Sequence, residues 1–126
     1  MGLETIGQVG IVVRDLAQAK DFYQHVLGMK FLFDAGSMVF FQCGSVRLMI
    51  GTAEAGKPFV AAGTILYFKV ADIQESHGAL AAGGVTFVAP PHLVAKMPGH
   101  DLWMAFLKDP DENVIGLMSE VARAEV

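Results

Sequence analysis

Apolar and polar residues follow two kinds of pattern along the chain, and the same order of patterns occurs twice. The segment from Thr5 to Val13 has the alternation of a strand, and apolar residues at helical spacing follow from Leu16 to Leu27. Three more strand-like runs come after that helix. The second half, from Thr64 onwards, repeats the order of one strand, one helix and three strands. The hydrophobic pattern therefore predicts two βαβββ modules.

Short motifs mark the repeat. The segment Val13–Leu16 (VRDL) is echoed in the second half by Val70–Ile73 (VADI). The aspartate in each motif is a natural helix N-cap, and a Gln or Glu three residues later completes a capping-box pattern. Gly28 and the pair Gly83–Gly84 are placed to end the two helices. A repeat of this length fixes the architecture and pairs equivalent positions in the two halves.

The same patterns predict the boundaries of the modules within a single α+β domain. Module one covers about residues 4–51, a linker rich in Ala and Gly covers about 52–63, module two covers about 64–119, and residues 120–126 form a tail. Within module two, Pro and Gly interrupt residues 89–102, which are predicted to form a long excursion between strands. A closing hairpin turns at residues 109–113.

Composition narrows the class of protein. The chain has 126 residues and is 53% hydrophobic, with a mean hydropathy of +0.46, but no apolar run approaches the ~18 residues of a membrane helix. We expect no signal peptide, and the single Cys43 suits a reducing cytoplasm. The net charge of −4, without a Lys/Arg cluster, argues against a nucleic-acid partner. The lack of a long apolar run argues against a membrane partner, and the apolar excess predicts either a cavity lining or a subunit interface.

Three segments carry a family resemblance. They are Val9–Leu16 leading to Phe22-Tyr23, the helix end Val26–Met29, and Phe106–Asp111. Through these segments the chain resembles the glyoxalase/bleomycin-resistance/extradiol-dioxygenase group, the vicinal oxygen chelate superfamily. The resemblance covers nearly the whole chain. It implies that the two tandem βαβββ modules form an eight-stranded incomplete barrel around a cavity, with the helices outside. It also implies that single two-module chains pair as homodimers.

The resemblance directs attention to four positions. In metal-dependent members, His or Glu/Gln side chains from the first and last strands of each module hold a divalent ion. The matching positions here are Gln8, Leu48, Ile65 and Gly116, and the offset between Gln8 and Ile65 equals the offset between the two repeated motifs. Two hydrocarbon side chains and a glycine cannot bind a metal, and one neutral amide is a poor lone ligand. We therefore expect no metal and no other cofactor.

Strand alternation predicts which side chains face the cavity. Gln8 points into it from the first strand, and Ile65 and Tyr67 follow by the repeat. The buried amide of Gln8 needs a partner, which is either Tyr67, a neighbouring strand or a ligand. The predicted ligand-binding residues are Gln8, Leu48, Ile65, Tyr67, Trp103 and Gly116.

Two histidines are candidate catalytic residues. His92 and His100 lie in the excursion, which borders the cavity mouth in relatives, and histidine is the usual group for proton transfer near neutral pH. The alternative is an ordinary polar surface loop. His25 and His77 fall on the two helices and are predicted to be surface residues.

Three functional hypotheses follow. The first is metal-independent binding of a small apolar or aromatic molecule that is neutral to weakly anionic, because the predicted cavity strands carry no acidic residue to hold a cationic drug. The second is a metal-free lyase or isomerase that uses His92 or His100 for proton transfer. The third is a degenerate family member that acts as an interaction module. The sequence leaves open whether the protein is an enzyme.

Overall fold

The computed structural model describes residues 2–53, 55–60 and 63–123 of the chain. The chain divides into two compact units, Met1–Ala62 and Gly63–Val126. Each unit contains a four-stranded sheet and one helical region in the order βαβββ. The fold class predicted from the repeat, two tandem βαβββ modules, is confirmed. Within the described residues, neither helix is long and apolar enough to cross a membrane.

The first unit consists of one parallel and two antiparallel strand pairs with a short helical region. Its strands have the order β1-β4-β3-β2, with β1 parallel to β4. Asp15 caps α1 by accepting a hydrogen bond from the Gln18 N–H at 3.0 Å, as the capping-box pattern predicted. The elements are β1 Gln8–Val13, α1 Leu16–Asp21 followed by a π-helical turn Phe22–Val26, β2 Lys30–Ala35, β3 Met38–Cys43 and β4 Val46–Thr52.

The core of the first unit lies between the helical region and one face of the sheet. Ala19 and Tyr23 are completely buried, and the Tyr23 and Phe41 rings lie 6.3 Å apart. Ile50 and Val13 fill the same layer. Burial of each such large apolar side chain contributes about 1.5–3 kcal/mol to folding. The helical region covers this face and leaves the other face of the sheet without a helix.

The second unit repeats this arrangement. Its sheet has the order β5-β8-β7-β6, with β5 parallel to β8. Asp72 caps α2 by accepting hydrogen bonds from the N–H groups of Gln74 and Glu75, each at 3.1 Å. The elements are β5 Leu66–Lys69, α2 Ile73–Ala82, β6 Phe87–Met97, β7 His100–Lys108 and β8 Val114–Ala122.

Residues 89–102 form most of a long hairpin instead of a loop. They belong to β6 and β7, which turn at Pro98 and Gly99, where Gly99 has a φ of 82°. The sheet tolerates Pro90 and Pro91 because β6 is its edge strand, and one of the three shifts in the β6–β7 register, between Ala89 and His92, spans them. β8 continues to Ala122, so that residues 120–122, assigned above to the tail, pair with β7.

Arg123 fastens this hairpin. Its guanidinium donates to Asp101 Oδ1 at 2.6 Å, to the His100 carbonyl at 3.0 Å and to the Met97 carbonyl at 2.6 Å. These bonds join the end of β6, the start of β7 and the residue after β8. This fit of one planar side chain to three acceptors holds the end of β8 beside the β6–β7 turn. β8 extends to Ala122, further than the hydrophobic pattern indicated.

Candidate functional site

The face of the first sheet that the helical region leaves uncovered is organised in rows. Residues paired in register across neighbouring strands point to the same side of a sheet, so the register defines each row. Three such rows make up this face, which we call the open face of the first sheet. The polar row is Lys30, Gln42, Arg47 and Gln8, the middle row is Phe33, Phe40, Met49 and Gly10, and the far row is Ala35, Met38, Gly51 and Val12.

A cavity of about 720 Å³ opens on the middle and far rows. Gly10 and Gly51 leave room for the two methionine side chains that lie over them, because a Cβ on Gly10 would lie 3.2 Å from Met49 Cε, and one on Gly51 would lie 3.2 Å from Met38 Cγ. Two flexible methionines and Val12 therefore line a concave apolar surface of the size that small-molecule sites have. The lining residues are Gly10, Ile11, Val12, Ser37, Met38, Met49, Gly51, Thr52, Ala53 and Ala55.

An aromatic pair lies beside the cavity. The rings of Phe33 and Phe40 are stacked, with centroids 4.6 Å apart and planes 23° from parallel. Phe40 is buried, whereas Phe33 is 46% exposed, so the pair presents a ring on the open face. Such a pair suits contact with an apolar or aromatic ligand.

The polar row contains a fixed guanidinium. Arg47 Nε donates to Gln8 Oε1 at 2.7 Å, and the guanidinium carbon lies 5.6 Å from the centroid of the Phe40 ring. The Gln8 amide also donates a weak bond to Met49 Sδ at 3.7 Å. The partner of Gln8 is thus a neighbouring strand, one of the alternatives considered above, and not Tyr67. Gln8 is itself exposed rather than buried.

The corresponding face of the second sheet, which α2 leaves uncovered, carries Tyr67 and Gly116; we call it the open face of the second sheet. Tyr67 pairs in register with Gly116, and a Cβ on Gly116 would lie 2.5 Å from Tyr67 Cδ1. The Tyr67 ring therefore occupies the space above Gly116, edge-on to the Phe106 ring at 5.9 Å. Ile65 lies one residue before β5 and is half-buried.

Leu48 and Trp103 lie on the helix-covered faces. Leu48 is 3% exposed and pairs with Phe41, the residue that contacts Tyr23. Trp103 pairs with Ser119 and lines a hollow of about 390 Å³ beside the start of α2. The structure does not bring these two side chains to the open faces. Leu48 pairs with Val9 and not with Gln8, which pairs with Arg47. This difference of one residue in register places Leu48 on the opposite face of the sheet from Gln8.

Arg47 lies on the open face of the first sheet. The sequence alone favours a solvated strand residue over an anion-binding one at this position, and Arg47 is not among the predicted ligand-binding residues. Gln8 has Arg47 and Met49 as its open-face neighbours on β4, one residue to either side of Leu48. A charged residue within the apolar run of β4 is the signal that could have set the register, since the covered face accepts only apolar side chains.

The two candidate histidines have different surroundings. His92 is exposed, and its Nδ1 lies 2.8 Å from the Pro90 carbonyl oxygen, with its ring 6.3 Å from Phe106. His100 is half-buried, and its Nε2 lies 4.0 Å from Glu120 Oε2. The Pro90 carbonyl accepts only from a protonated Nδ1, and in the neutral ring that tautomer leaves the lone pair on Nε2.

The residues at the four expected ligand positions do not fit a divalent metal. The one side-chain oxygen among them, Gln8 Oε1, already accepts from a cationic group. Leu48 lies under the helix, and the Tyr67 ring fills the space at Gly116. In the part of the chain that the structure describes, no three His, Cys, Asp or Glu side chains form a metal-binding group. A guanidinium beside one neutral oxygen repels a cation.

Comparison with known proteins agrees with the fold. The sequence profile of the Glyoxalase/Bleomycin resistance protein/Dioxygenase superfamily matches residues 5–117. No curated protein matches the chain at a significant level.

Solved structures similar to the chain come from several bacteria. A lactoylglutathione lyase from Agrobacterium tumefaciens superposes with a TM-score of 0.75 at 20% identity, covering 94% of this chain and 96% of its own. A virulence protein from Salmonella typhimurium gives a TM-score of 0.79 at 20% identity, covering 96% and 100%. A member of the same superfamily from Sphaerobacter thermophilus DSM 20745 is 26% identical, with a TM-score of 0.73 and coverage of 94% and 98%.

Proposed function

The chain belongs to the Glyoxalase/Bleomycin resistance protein/Dioxygenase superfamily, and on that premise we propose that it binds a small apolar or aromatic molecule, neutral to weakly anionic, without a metal ion. The observation that carries the proposal is the cavity of about 720 Å³ on the open face of the first sheet. This fold hosts many activities, so the site and not the fold supports the proposal.

The chemistry of the cavity supports an apolar ligand. Its lining is mostly apolar, with methionine, valine, isoleucine, alanine and glycine beside one serine and one threonine, and the Phe33–Phe40 pair adjoins Met49 in the middle row. Removal of apolar surface from water contributes about 25 cal/mol for each Å² that ligand and protein bury. Methionine side chains adjust to ligands of different outline, so a range of related molecules is expected to bind.

A matched pair of variants tests this proposal. Gly10→Val places two methyl groups in the cavity, where even a Cβ would touch Met49, whereas Gly78→Val on α2 has no neighbour within 4 Å. Calorimetric titration with 2-naphthamide should give saturable binding to the wild type and to Gly78→Val. Binding to Gly10→Val should be at least about tenfold weaker, the equivalent of roughly 1.4 kcal/mol. Equal binding to the wild type and to Gly10→Val would refute the proposal, as would absence of saturable binding to the wild type of 2-naphthamide, octanamide and the corresponding carboxylic acids.

Metal-free proton transfer is the second candidate function. It is favoured by His92, whose Nδ1 donates to the Pro90 carbonyl and whose Nε2 is then available as a base on the open face of the second sheet. In a lyase or isomerase of this kind, His92 Nε2 would accept a proton from carbon next to a carbonyl group and return it.

Deuterium exchange distinguishes this candidate from binding alone. A bound carbonyl compound incubated in D₂O should gain deuterium at the carbon next to its carbonyl group in the wild type. His92→Gln should lose this exchange by about 10²-fold or more. His100→Gln is the control variant, because Nε2 of His100 lies 4.0 Å from Glu120 Oε2. Equal exchange in all three proteins, at the rate of free solution, would exclude both histidines as the base.

A further inference from the structure

The geometry of the polar row points to a ligand with a carboxylate group. We infer that Arg47 binds this carboxylate, while the apolar body of the ligand occupies the adjacent cavity. The inference rests on the proposed function and specifies the class of ligand: a monocarboxylic acid with an aromatic or aliphatic body.

The rows bring the charged group and the cavity within reach of one small molecule. Arg47 and Met49 are two residues apart on β4 and point to the same side, at a spacing of about 7 Å. Met49 lines the cavity and also contacts the Gln8 amide. A ligand the size of a bicyclic acid therefore spans from the guanidinium to the cavity wall.

The charge of the face favours an anion. Its three rows contain two cationic residues, Lys30 and Arg47, and no acidic residue. Within the described ranges, neither cation lies within 4 Å of a carboxylate. This positive face belongs to a chain whose net charge is −4, so its sign is a local feature of the first sheet. Complementary charge is what selects an anionic ligand and speeds its association.

The hydrogen bonds of Arg47 leave the required donors available. Nε is used by Gln8 Oε1, which fixes the plane of the guanidinium beside the Phe40 ring. The two terminal nitrogens, Nη1 and Nη2, make no hydrogen bond to the described protein. Their parallel N–H groups match the two oxygens of a carboxylate in a bidentate arrangement. Gln8 is thus a positioning residue for Arg47.

Paired ligands test the inference directly. Calorimetric titrations would compare 2-naphthoic acid with 2-naphthamide and octanoic acid with octanamide. They are made at about pH 7.5, where a carboxylic acid is ionised. In at least one pair, the wild type should bind the acid about 10- to 100-fold more tightly than the amide. Raising NaCl from about 50 mM to about 500 mM should weaken binding of the acid and leave binding of the amide unchanged.

Variants identify the side chain that is responsible for the preference for the acid over the amide. Arg47→Gln should abolish the preference for the acid, because binding of the acid should fall about 10- to 100-fold further than binding of the amide. Gln8→Glu keeps the size of the side chain but gives the guanidinium an internal carboxylate, so it should also abolish the preference. Lys20→Gln is the control for net charge, because Lys20 lies on α1 and pairs with Asp34, on the covered side. It should retain the full preference.

The possible outcomes separate this inference from the proposed function. Equal binding of acid and amide to the wild type would overturn the carboxylate assignment and leave the binding function intact. Retention of the preference in Arg47→Gln would also overturn the assignment to Arg47. Failure of both members of both pairs to bind would refute the inference and the proposed function together.

Discussion

Gly116 is the residue at which the second sheet has least room for a side chain. A Cβ there would lie 2.5 Å from Cδ1 and 2.8 Å from Cε1 of Tyr67, and 3.3 Å from Cε1 of Phe106. Gly116→Ala is therefore expected to displace the Tyr67 ring and break its edge-on contact with Phe106. The expected loss is about 1–2 kcal/mol of unfolding free energy, measured by urea denaturation.

A double-mutant cycle tests the cause of this loss. In a Tyr67→Ala background the obstructing ring is absent, so Gly116→Ala should cost less than about 0.5 kcal/mol. Gly10→Ala is the matched control on the first sheet, since its nearest contact is the flexible end of Met49 at 3.2 Å. An unchanged cost in the Tyr67→Ala background would show that steric contact with Tyr67 is not the reason.

Single residues also mark the limit of sequence-based prediction here. Local hydrogen-bond chemistry predicted the Asp15 and Asp72 caps, because a cap depends on the next few residues only. The face of Leu48 depends on pairing between β4 and strands distant in sequence, and one residue of register decides it. Arg47 was left out of the predicted ligand-binding residues for the same reason.

At the scale of elements, the turn from β7 to β8 depends on one buried carboxylate. Asp109 Oδ1 accepts from the N–H groups of Asp111 at 2.9 Å and Asn113 at 2.8 Å, and Oδ2 accepts from Asn113 Nδ2 at 2.9 Å. The turn also holds Glu112 at a φ of 70°, a strained value for a residue with a side chain. The carboxylate offsets that strain.

Asp109→Ala should therefore destabilise the second unit strongly. It leaves buried N–H donors without their acceptor, and the expected loss is about 2–4 kcal/mol in urea denaturation. Asp109→Asn keeps an oxygen for the backbone donors and should lose less than half as much. Equal losses for the two variants would show that the hydrogen bonds of Oδ1 do not hold the turn.

The β6–β7 hairpin shows how tertiary context overrides local signals. Prolines and glycines in residues 89–102 predicted irregular structure, and locally the prolines do interrupt pairing, as the register shift between Ala89 and His92 shows. An edge strand needs hydrogen bonds on one side only, so β6 accepts residues that an interior strand would reject. The position of β6 at the edge of its sheet was not available from the sequence pattern.

At the scale of the whole molecule, the repeat accounts for the success of the fold prediction. Two copies of one pattern, one in each half of the chain, predicted two similar units, and the structure contains them. The set of side chains that meet on the open face was beyond prediction, because the face is assembled from four strands and their register determines which residues point to the same side. The homodimer expected from the apolar composition stays a prediction.

Metal treatment gives a test on the whole protein. Because the four expected ligand positions offer no donor set, dialysis against EDTA or addition of Ni²⁺ or Zn²⁺ should change Tm by less than about 1 °C. Differential scanning calorimetry measures this, with elemental analysis of protein purified without chelators. One bound metal per chain, together with a fall in Tm after chelation, would contradict metal independence.

The edge position of β6 has a consequence for assembly. An eleven-residue edge strand ordinarily attracts a strand from another chain, and Val88, Leu93 and Val94 expose apolar side chains along it. Successive residues turn their N–H groups to opposite sides of a strand, so one of Pro90 and Pro91 removes a donor from the free side. The register shifts also bend the strand away from straight pairing. The edge is therefore guarded against amyloid-like growth of the sheet, and copies of the chain that associate near β6 must do so through side chains.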